Sequence, residues 1–317
     1  MARQLVQKGV VVKAGVAFGN RRFLGTMSFQ SCPGPYKFIL SIPQHQTEAV
    51  IAERLKLVSP AVVDMAERAI EMSETDDDVT VYFESGKSIS ARFVVGADGW
   101  DSTIRRLAGI DWLGKQYPDT YVMGDFEDDS RLGPVACVFL ARDGLVESFP
   151  LPGNTRRWVA KTPLFLEEPT PGDLAELVAA RTTFRLPVPT CKMTSGFRTF
   201  SYTAKTMAVR RVLLVGDAAH VVSPIGGQGM NLGWMGAKDL AGTLDVILKN
   251  PDVQMTAFRE FTLRRRRAAK IVNRRAEFNM WMGRAHPGAA AKHFVTWVAL
   301  HTRAKGYFAD QFSMRGI

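Results

Sequence analysis

One segment of the sequence, residues 211–240, sets strong limits on how this chain folds. It opens with a continuous apolar run, residues 212–215, of the length and composition of a strand that is buried on both faces. The run stops abruptly at Gly216, and Asp217 follows it. Because ligands of α/β sheets bind beyond the carboxyl ends of the strands, we expect this carboxylate to lie beside a ligand. A carboxylate there can accept two hydrogen bonds from a ribose diol.

A glycine-rich loop then leads into the next predicted helix. The loop, residues 223–229, contains three glycines, and the helix begins near Met230. The glycines let the backbone approach a flat ligand closely and leave its N–H groups unobstructed. The helix N-terminus adds partial positive charge, which suits a group that becomes anionic. Such a loop can also be a plain connection between a strand and a helix, but its coupling to Asp217 favours a cofactor site.

A second predicted strand also ends at an acidic tip. The sequence FVVGADGWDSTIRR contains a strand that ends in GADG and is followed by a helix-like segment. Asp98 and Gly99 lie at this tip, where backbone N–H groups and Arg105 can hold a pyrophosphate. The segment can equally be a capped helix start with Asp101 or Ser102 as the N-cap residue. The two interpretations are compatible.

Three stretches of the chain resemble a known family. GDAAH, a proline four residues later and GGQGMNLG resemble the second FAD signature of the FAD-dependent aromatic hydroxylases, or class A flavoprotein monooxygenases. The strand that ends in GADG resembles the short middle motif of that family. Residues 42–48, IPQHQTE, resemble its Q-x-x-T-E helix start, in which Gln44 matches the spacing and Gln46 is the alternative. The stretches occur in the order of the family, and the resemblance extends over nearly the whole chain.

The resemblance implies a set of cofactor-binding residues. Asp217 would bind the ribityl or ribose hydroxyl groups of FAD, the loop and helix start would line the isoalloxazine, and the GADG tip would serve both FAD and NAD(P)H. The full set is Gln44, Asp98, Gly99, Arg105, Gly216, Asp217, Pro224, Gly226, Gly227, Gly229, Met230 and Asn231. The family usually has an aspartate where this chain has Gly236, and we expect that difference to affect helix packing more than flavin contact. No catalytic residue and no metal site are assigned.

The resemblance also implies an enzyme. NADH or NADPH would reduce the FAD, and O2 would supply the oxygen that hydroxylates an aromatic or polyketide-like small molecule. The W-x-W-x-I-P pattern of flavin-dependent halogenases does not occur in the sequence. The sequence contains no long apolar run and opens without a signal-peptide pattern, so we expect a cytoplasmic protein without an integral membrane segment. A homodimer is compatible with the resemblance.

One signature of the family is not found. Flavoproteins of this kind begin with a βαβ unit of about 30 residues that carries G-x-G-x-x-G and holds the ADP half of FAD. The single G-x-G here ends at Gly229, and Leu232 stands where the third glycine would be. We therefore expect an N-terminally truncated member of the family that binds FAD poorly. A non-catalytic remnant is then the alternative to an active enzyme.

The formal net charge of +10 is concentrated in one predicted helix. Between Arg259 and Arg275 there are eight basic residues and one acid. Apolar residues recur there near helical spacing: Phe258, Phe261, Ala268, Ile271, Val272 and Phe278. An amphipathic helix with a solvated basic face accounts for this pattern, and a nucleic-acid or membrane-surface binder is the alternative. Since no nucleic-acid-binding motif accompanies the charge, no nucleic-acid partner is expected.

Together these patterns predict the fold class and the domains. The class is α/β, with a parallel-sheet FAD/NAD(P)-binding domain that lacks its first βαβ unit, an interleaved antiparallel-sheet substrate domain and a helical C-terminus. Residues 1–100 and 206–250 would form the incomplete FAD-binding domain. Residues 101–205 would form the substrate-binding sheet, and residues 251–317 the C-terminal helices. Residues 79–95 are predicted to form one hairpin with a turn at Ser85 and Gly86.

Overall fold

The computed structural model describes residues 1–60, 62–285 and 289–314. The strands, β1 to β16 in chain order, are Val10–Val12, Ala14–Gly19, Arg22–Ser28, Ile39–Ser41, Ala69–Glu74, Val79–Phe83, Ser88–Ala91, Val94–Gly96, Trp112–Glu127, Ala136–Ala141, Gly144–Leu151, Thr155–Thr162, Met193–Ala204, Ala208–Val209, Val212–Leu214 and His220–Val221. The helices, α1 to α8, are Ala2–Lys8, Gln44–Val58, Thr103–Leu107, Pro171–Arg181, Gly229–Lys249, Gln254–Gly283, Ala289–His301 and Ala304–Phe312. No described helix has the length and apolar character needed to cross a membrane.

The chain forms two compact units, each assembled from separate parts of the sequence. Unit 1 contains residues 1–62, 118–198 and 279–316, and unit 2 contains residues 63–117 and 199–278. The N-terminal segment therefore belongs to the same unit as the antiparallel strands 118–198. These bounds differ from the division predicted from the sequence, and the assignment of FAD-binding and substrate-binding domains stays a prediction.

Unit 1 is built on a large sheet, most of whose strands lie within residues 101–205, where the sequence predicts an antiparallel sheet. From β3 the order is β2, β10, β11, β12, β9 and β13. The neighbouring pairs are antiparallel from β10 through β11 and β12 to β9, whereas β10 and β2 run parallel. One face of the sheet packs against helix α4, which begins with a capping box between Thr170 and Asp173. Residues Val122, Phe126, Phe139, Val146, Trp158 and Ala160 form this core with Leu174 and Val178 of the helix.

Unit 2 contains two small sheets and the helices α3, α5 and the larger part of α6. Strands β14, β15 and β8 form one sheet, and β5, β6 and β7 form an antiparallel sheet. The predicted buried strand is confirmed, because Val212, Leu213 and Leu214 have no exposed surface. They form a core with Ile104, Leu240, Ile247, Phe258 and Phe261, which α3, α5 and α6 contribute. The helices over this strand thus hold its carboxyl end in place.

The predicted hairpin over residues 79–95 is only partly correct. Strands β6 and β7 do form a hairpin around the turn at Gly86, where φ is +85°. The remaining residues leave that sheet, and β8 (Val94–Gly96) pairs in parallel with β15 instead. Alternation of apolar residues continues smoothly from 88 to 95, so local pattern alone did not show that the strand changes its partner.

The predicted amphipathic helix is confirmed as part of α6, but its faces differ from the prediction. Phe258, Phe261, Ala268 and Val272 are buried as expected, whereas Phe278 is 44% exposed. The basic face is not uniformly solvated, because Arg265 is only 8% exposed and lies 2.9 Å from a carboxylate oxygen of Asp239 on α5. Arg264 pairs with the same carboxylate at 2.9 Å. Part of the charge run therefore serves to dock α6 on α5.

The buried carboxyl group of Glu147 on β11 predicts a specific pH dependence of stability. Burial raises its pKa to about 7, whereas the unfolded chain ionises near the ordinary value of about 4.3. The folded state therefore holds a proton that the unfolded state releases, and stability falls as pH rises from about 4.5 to about 7, by about 3 kcal/mol in total. We expect Glu147→Gln to reduce this loss, measured by urea unfolding at pH 5 and pH 8.

Glu168→Gln is the matched control, because residue 168 is an exposed glutamate of the same unit. It should keep the pH dependence of the parent chain. An identical loss of stability between pH 5 and pH 8 in Glu147→Gln and in the parent would contradict the assignment of the raised pKa to Glu147.

Candidate cofactor-binding site

The site begins with the parallel pairing of β15 and β8 in unit 2. Leu214 lies opposite Gly96, and the N–H of Val215 donates to the carbonyl oxygen of Gly96 at 3.0 Å. Because the strands are parallel and in register, their carboxyl ends reach the same edge of the sheet. Asp98 and Asp217, which were predicted from two separate motifs, therefore follow adjacent strand ends.

The turn after β15 presents Asp217 to solvent. Gly216 has a φ of +60°, a left-handed conformation that favours glycine, and it opens a 3-10 turn over Gly216–Ala218. The side chain of Asp217 is exposed, and no donor or cation of the described residues pairs with it. The protein on its other sides excludes water and raises the pKa of the carboxyl group. This carboxylate is therefore free to accept hydrogen bonds from a ligand.

The glycine-rich loop folds as a tight turn with an open outer side. The N–H of Gly227 donates to the carbonyl oxygen of Pro224 at 2.9 Å, and the N–H of Ile225 donates to the hydroxyl of Ser223 at 3.3 Å. Gly226 and Gly227 have φ values of +103° and +64°. A Cβ added at Gly227 would meet no atom within 4 Å, so the backbone faces open space there. A flat ligand could approach this turn closely.

Helix α5 starts directly after the loop without a side-chain cap. Its N-cap residue, Gln228, makes no capping hydrogen bond with its side chain. The first N–H groups of a helix have no partner within the helix, so those of Gly229, Met230 and Asn231 are available to an external acceptor. The first turn also passes close to the strand end, because a Cβ on Gly233 would lie 3.4 Å from the Cα of Gly216. The helix start and the Asp217 turn thus lie side by side.

The side chain of Asp98 stabilises the start of helix α3. Its two carboxylate oxygens accept hydrogen bonds from the hydroxyl of Ser102 at 2.5 Å and from the N–H of Ile104 at 3.0 Å. Ser102 is the N-cap residue of α3, since its hydroxyl accepts from the N–H of Arg105 at 2.9 Å. The interpretation of this segment as a capped helix is confirmed, with Ser102 as the cap. Gly99 lies beside it with a φ of +82°.

Arg105 is also bound within the protein. It is 6% exposed, and its guanidinium donates to the carbonyl oxygens of Ala218 at 3.2 Å and Trp100 at 3.0 Å. The guanidinium carbon lies 3.8 Å from the ring centre of Trp112, a cation–π contact. Arg105 therefore ties α3 to the turn that carries Asp217. The sequence carried no signal for the contact with Trp112, because it joins segments with no common motif.

The predicted site residue Gln44 and the histidine of the GDAAH segment, His220, have different surroundings. Gln44 is the first residue of α2 in unit 1, where its exposed amide donates to the carboxylate of Glu48 at 2.9 Å. His220 in unit 2 is 2% exposed, and burial, with a smaller contribution from the charge of Arg265, lowers its pKa to about 4. Its imidazole is therefore neutral near pH 7. Within the described ranges, no group of three or more metal-ligating side chains is arranged to hold an ion.

Gly236 lies inside α5, in the buried position where the family usually has an aspartate. A Cβ added there would lie 3.8 Å from the Cδ of Arg265, in ordinary contact. Arg265 instead pairs with Asp239, one turn further along the same helix. Gly236 thus lies where α5 contacts Arg265 of α6, and the effect of the missing aspartate on helix packing stays a prediction.

Comparisons with known proteins identify the family of this chain. Residues 2–276 match the model of a family described as FAD binding domain. The chain is 27% identical over 251 residues to rifampicin monooxygenase of Streptomyces venezuelae, covering 77% of this chain and 52% of that protein. It is 26% identical over 264 residues to pentachlorophenol 4-monooxygenase of Sphingobium chlorophenolicum, covering 77% and 48%. The structure matches that of p-nitrophenol 4-monooxygenase from Pseudomonas putida with a TM-score of 0.84 at 20% identity, over 98% of this chain and 83% of that one.

These matches define a flavoprotein with the fold of the flavin aromatic hydroxylases. The chain belongs to the FAD-binding-domain family of FAD-dependent aromatic hydroxylases, as the sequence motifs indicated. It spans about half the length of rifampicin monooxygenase and of pentachlorophenol 4-monooxygenase.

The contacts of Arg105 predict a large effect on the stability of the region around the site. Arg105→Met keeps an apolar stem but leaves the carbonyl oxygens of Ala218 and Trp100 without their donor and removes the contact with Trp112. We expect the free energy of unfolding to fall by about 2–4 kcal/mol. The measurement is urea unfolding followed by circular dichroism.

Arg106→Met serves as the control, because the side chain of Arg106 is 51% exposed and pairs with Asp101 at the surface. This change should cost about 0.5 kcal/mol or less. Equal losses in the two variants would argue against a special role for Arg105.

Proposed function

We propose that this chain is the FAD-binding part of an NADH- or NADPH-dependent monooxygenase that hydroxylates an aromatic or polyketide-like small molecule. One observation carries the proposal. The exposed carboxylate of Asp217 lies beside the uncapped N-terminus of α5, across a glycine turn with an open outer side. A single flat ligand with hydroxyl donors at one end and an anionic edge at the other fits this combination of an acceptor and N–H donors.

The described residues suit the ribityl and isoalloxazine part of FAD. Asp217 would accept hydrogen bonds from ribityl hydroxyl groups, and the N–H groups at the start of α5 would face the edge of the ring that gains negative charge. Gly226, Gly227 and Pro224 would line the ring. Bound FAD would take electrons from the nicotinamide cofactor and activate O2 for transfer to the substrate.

Asp98 and Arg105 have a different part in this proposal. Both were predicted to belong to a site for FAD and NAD(P)H, but the side chains of both form their hydrogen bonds within the protein itself. We assign them as positioning residues: Asp98 fixes the start of α3, and Arg105 ties α3 to the turn after β15. Gly99 has a positive φ, and a Cβ added there would meet no atom within 4 Å. Its backbone is therefore still accessible to a ligand at this edge of the sheet.

The names of the relatives support the class of substrate. Rifampicin, pentachlorophenol and p-nitrophenol are the compounds in the names of the proteins that match this chain. All three carry aromatic rings with hydroxyl groups, so a hydroxylated aromatic compound is the substrate class that we propose. A homodimer in the cytoplasm stays a prediction from the sequence.

The basic segment does not favour a second function. Two of its arginines, Arg264 and Arg265, are bound to Asp239 of the same unit. The pairing uses part of the charge that suggested a nucleic-acid or membrane partner. We therefore keep the flavoprotein proposal as the single candidate.

The role of Asp217 can be tested by flavin binding. We expect Asp217→Ala to weaken FAD binding about ten- to a hundredfold, because a hydrogen bond to a charged group contributes about 1.5–3 kcal/mol. Since the side chain is exposed and has no partner within the described protein, folding should be unaffected. Quenching of flavin fluorescence during a titration gives the affinity, and circular dichroism checks the fold.

Asp101→Ala is a matched control, because its carboxylate is 71% exposed and pairs only with Arg106 among the described side chains. Its FAD affinity should equal that of the parent. An unchanged affinity in Asp217→Ala would reject the assignment, and a parent chain that shows no flavin binding and no NADH- or NADPH-dependent O2 consumption would reject the proposed function.

A further inference from the structure

Helix α7 of unit 1 exposes a group of large apolar side chains. Phe294, Val295 and Trp297 are 64%, 58% and 46% exposed, and the rings of Phe294 and Trp297 stack with centroids 6.4 Å apart. The one Lys, Arg, Asp or Glu of this helix, Lys292, is 9% exposed and donates to the carbonyl oxygen of Trp281 at 2.8 Å. Contiguous apolar surface of this kind marks an interaction site, whereas scattered apolar residues do not.

The other face of α7 is firmly packed on the sheet of unit 1. Leu300 packs against the core that contains Met27 and Phe29 of β3 and the loop after it. The ring of His293 is hydrogen-bonded to the carbonyl oxygen of Leu140 on β10 at 2.7 Å. The helix cannot turn its exposed apolar face inward without giving up these contacts. That face is therefore held toward the surroundings of the protein.

The charge around this face has a single sign. Residues 279–309 contain four Lys or Arg and no Asp or Glu, although 31 of the 317 residues of the chain are acidic. Arg303 and Lys305, which follow α7, are exposed, and no acid of the described residues pairs with either. Tyr307 of α8 is 66% exposed close behind them in sequence. Apolar surface and unpaired positive charge thus occur together.

Helix α2 of the same unit shows that this combination is not general. It also exposes an apolar side chain, Leu57, at 73%, and the basic residues Arg54 and Lys56 are exposed beside it. The same helix carries the acids Glu48 and Glu53, so its Lys, Arg, Asp and Glu side chains balance. Its surface lacks the net positive charge that follows α7. Helix α2 therefore supplies matched control positions.

We propose that the α7 surface, formed by Phe294, Val295, Trp297, Arg303 and Lys305, binds an anionic lipid membrane. At 13 residues α7 is too short to cross a bilayer, so it lies along the membrane plane. The aromatic rings enter the boundary between headgroups and acyl chains, as amphipathic surface helices do. The two cations contact the acidic headgroups.

Charge complementarity favours a lipid surface over other partners. In a two-fold dimer the same surface of both copies meets, so Arg303 and Lys305 of the two chains would face like charges. Single-stranded nucleic acid binds by stacking its bases on free aromatic rings. Trp297 already stacks on Phe294 one turn earlier and on His301 one turn later, at 6.4 and 4.6 Å. An anionic membrane offers negative charge above an apolar layer, which matches both parts of the surface.

Vesicle binding tests the proposal on the full 317-residue chain. The probes are vesicles of phosphatidylcholine alone and vesicles in which one quarter of the lipid is phosphatidylglycerol, and binding is measured by co-sedimentation. We expect the parent chain to bind the phosphatidylglycerol vesicles at least about tenfold more tightly, because each cation near an anionic surface is attracted to it. Raising the salt concentration to about 0.5 M should reduce this preference, since screening weakens the attraction.

Two changes separate the apolar from the electrostatic contribution. Phe294→Ser should weaken binding to the anionic vesicles about tenfold, because a largely exposed ring no longer enters the lipid. Arg303→Gln combined with Lys305→Gln should also weaken it about tenfold or more, and should change binding to phosphatidylcholine little.

The matched controls lie on α2. Leu57→Ser, and Arg54→Gln combined with Lys56→Gln, should leave vesicle binding as in the parent chain. Circular dichroism establishes that each variant is folded, and if one variant of the α7 surface does not fold, the other decides.

Several results would overturn the membrane proposal. They are no vesicle binding by the parent chain, equal binding to both kinds of vesicle, or equal losses in the α2 and α7 variants. A parent chain that binds no vesicles but forms a dimer that Phe294→Ser dissociates would assign the α7 surface to a second copy instead. FAD binding by a chain that binds no vesicles would reject the membrane surface and leave the proposed function standing.

Discussion

The candidate cofactor site depends on the parallel pairing of two three-residue strands, β8 and β15. In-register hydrogen bonds between Leu214, Val215 and Gly96 bring two loops that are more than a hundred residues apart in sequence to one edge. The apolar residues of β15 are fully buried under three helices, so the strand cannot shift without exposing its core. Because β15 is fixed in this register, the turn that follows it is fixed as well. The turn places Asp217 beside the start of α5. The site is thus a consequence of core packing beneath it.

Arg105 fixes the same edge of the sheet through contacts of its side chain. Arginine in a motif that ends a strand suggests phosphate binding, because its guanidinium matches phosphate oxygens. Here the guanidinium donates to two carbonyl groups and stacks on Trp112. A buried arginine that is saturated by carbonyl oxygens fixes backbone geometry. Asp98 acts in the same way through Ser102 and Ile104. Motif residues of the GADG tip therefore shape this edge of the sheet, while Asp217 and the loop after it are the residues that we propose to contact the ligand.

The buried charges that are paired in this protein serve its fold. Asp119, Arg156 and Arg265 are buried and paired, so they join elements of the fold. Asp217 is exposed and Glu147 is buried, yet neither has a partner within the described chain. Asp217 also lies at the carboxyl end of a buried strand, beside the start of α5, and this position, together with its lack of a partner, marks the place where we expect the cofactor.

The sequence by itself determined the elements whose signals are local. The buried strand before Gly216, the helix starts after residues 228 and 102, and the succession of short antiparallel strands follow from apolar runs, glycines and cap residues that act within a few positions. For the same reason the family could be named from three short motifs. The tertiary structure alone decided which strand pairs with β8, what Arg105 binds, and that Arg265 is buried against Asp239. It also decided that Glu147, an ordinary glutamate in the sequence, lies unpaired in the interior. Each of these depends on contacts between distant segments, and no local pattern encodes a partner that is brought near only when the core has formed.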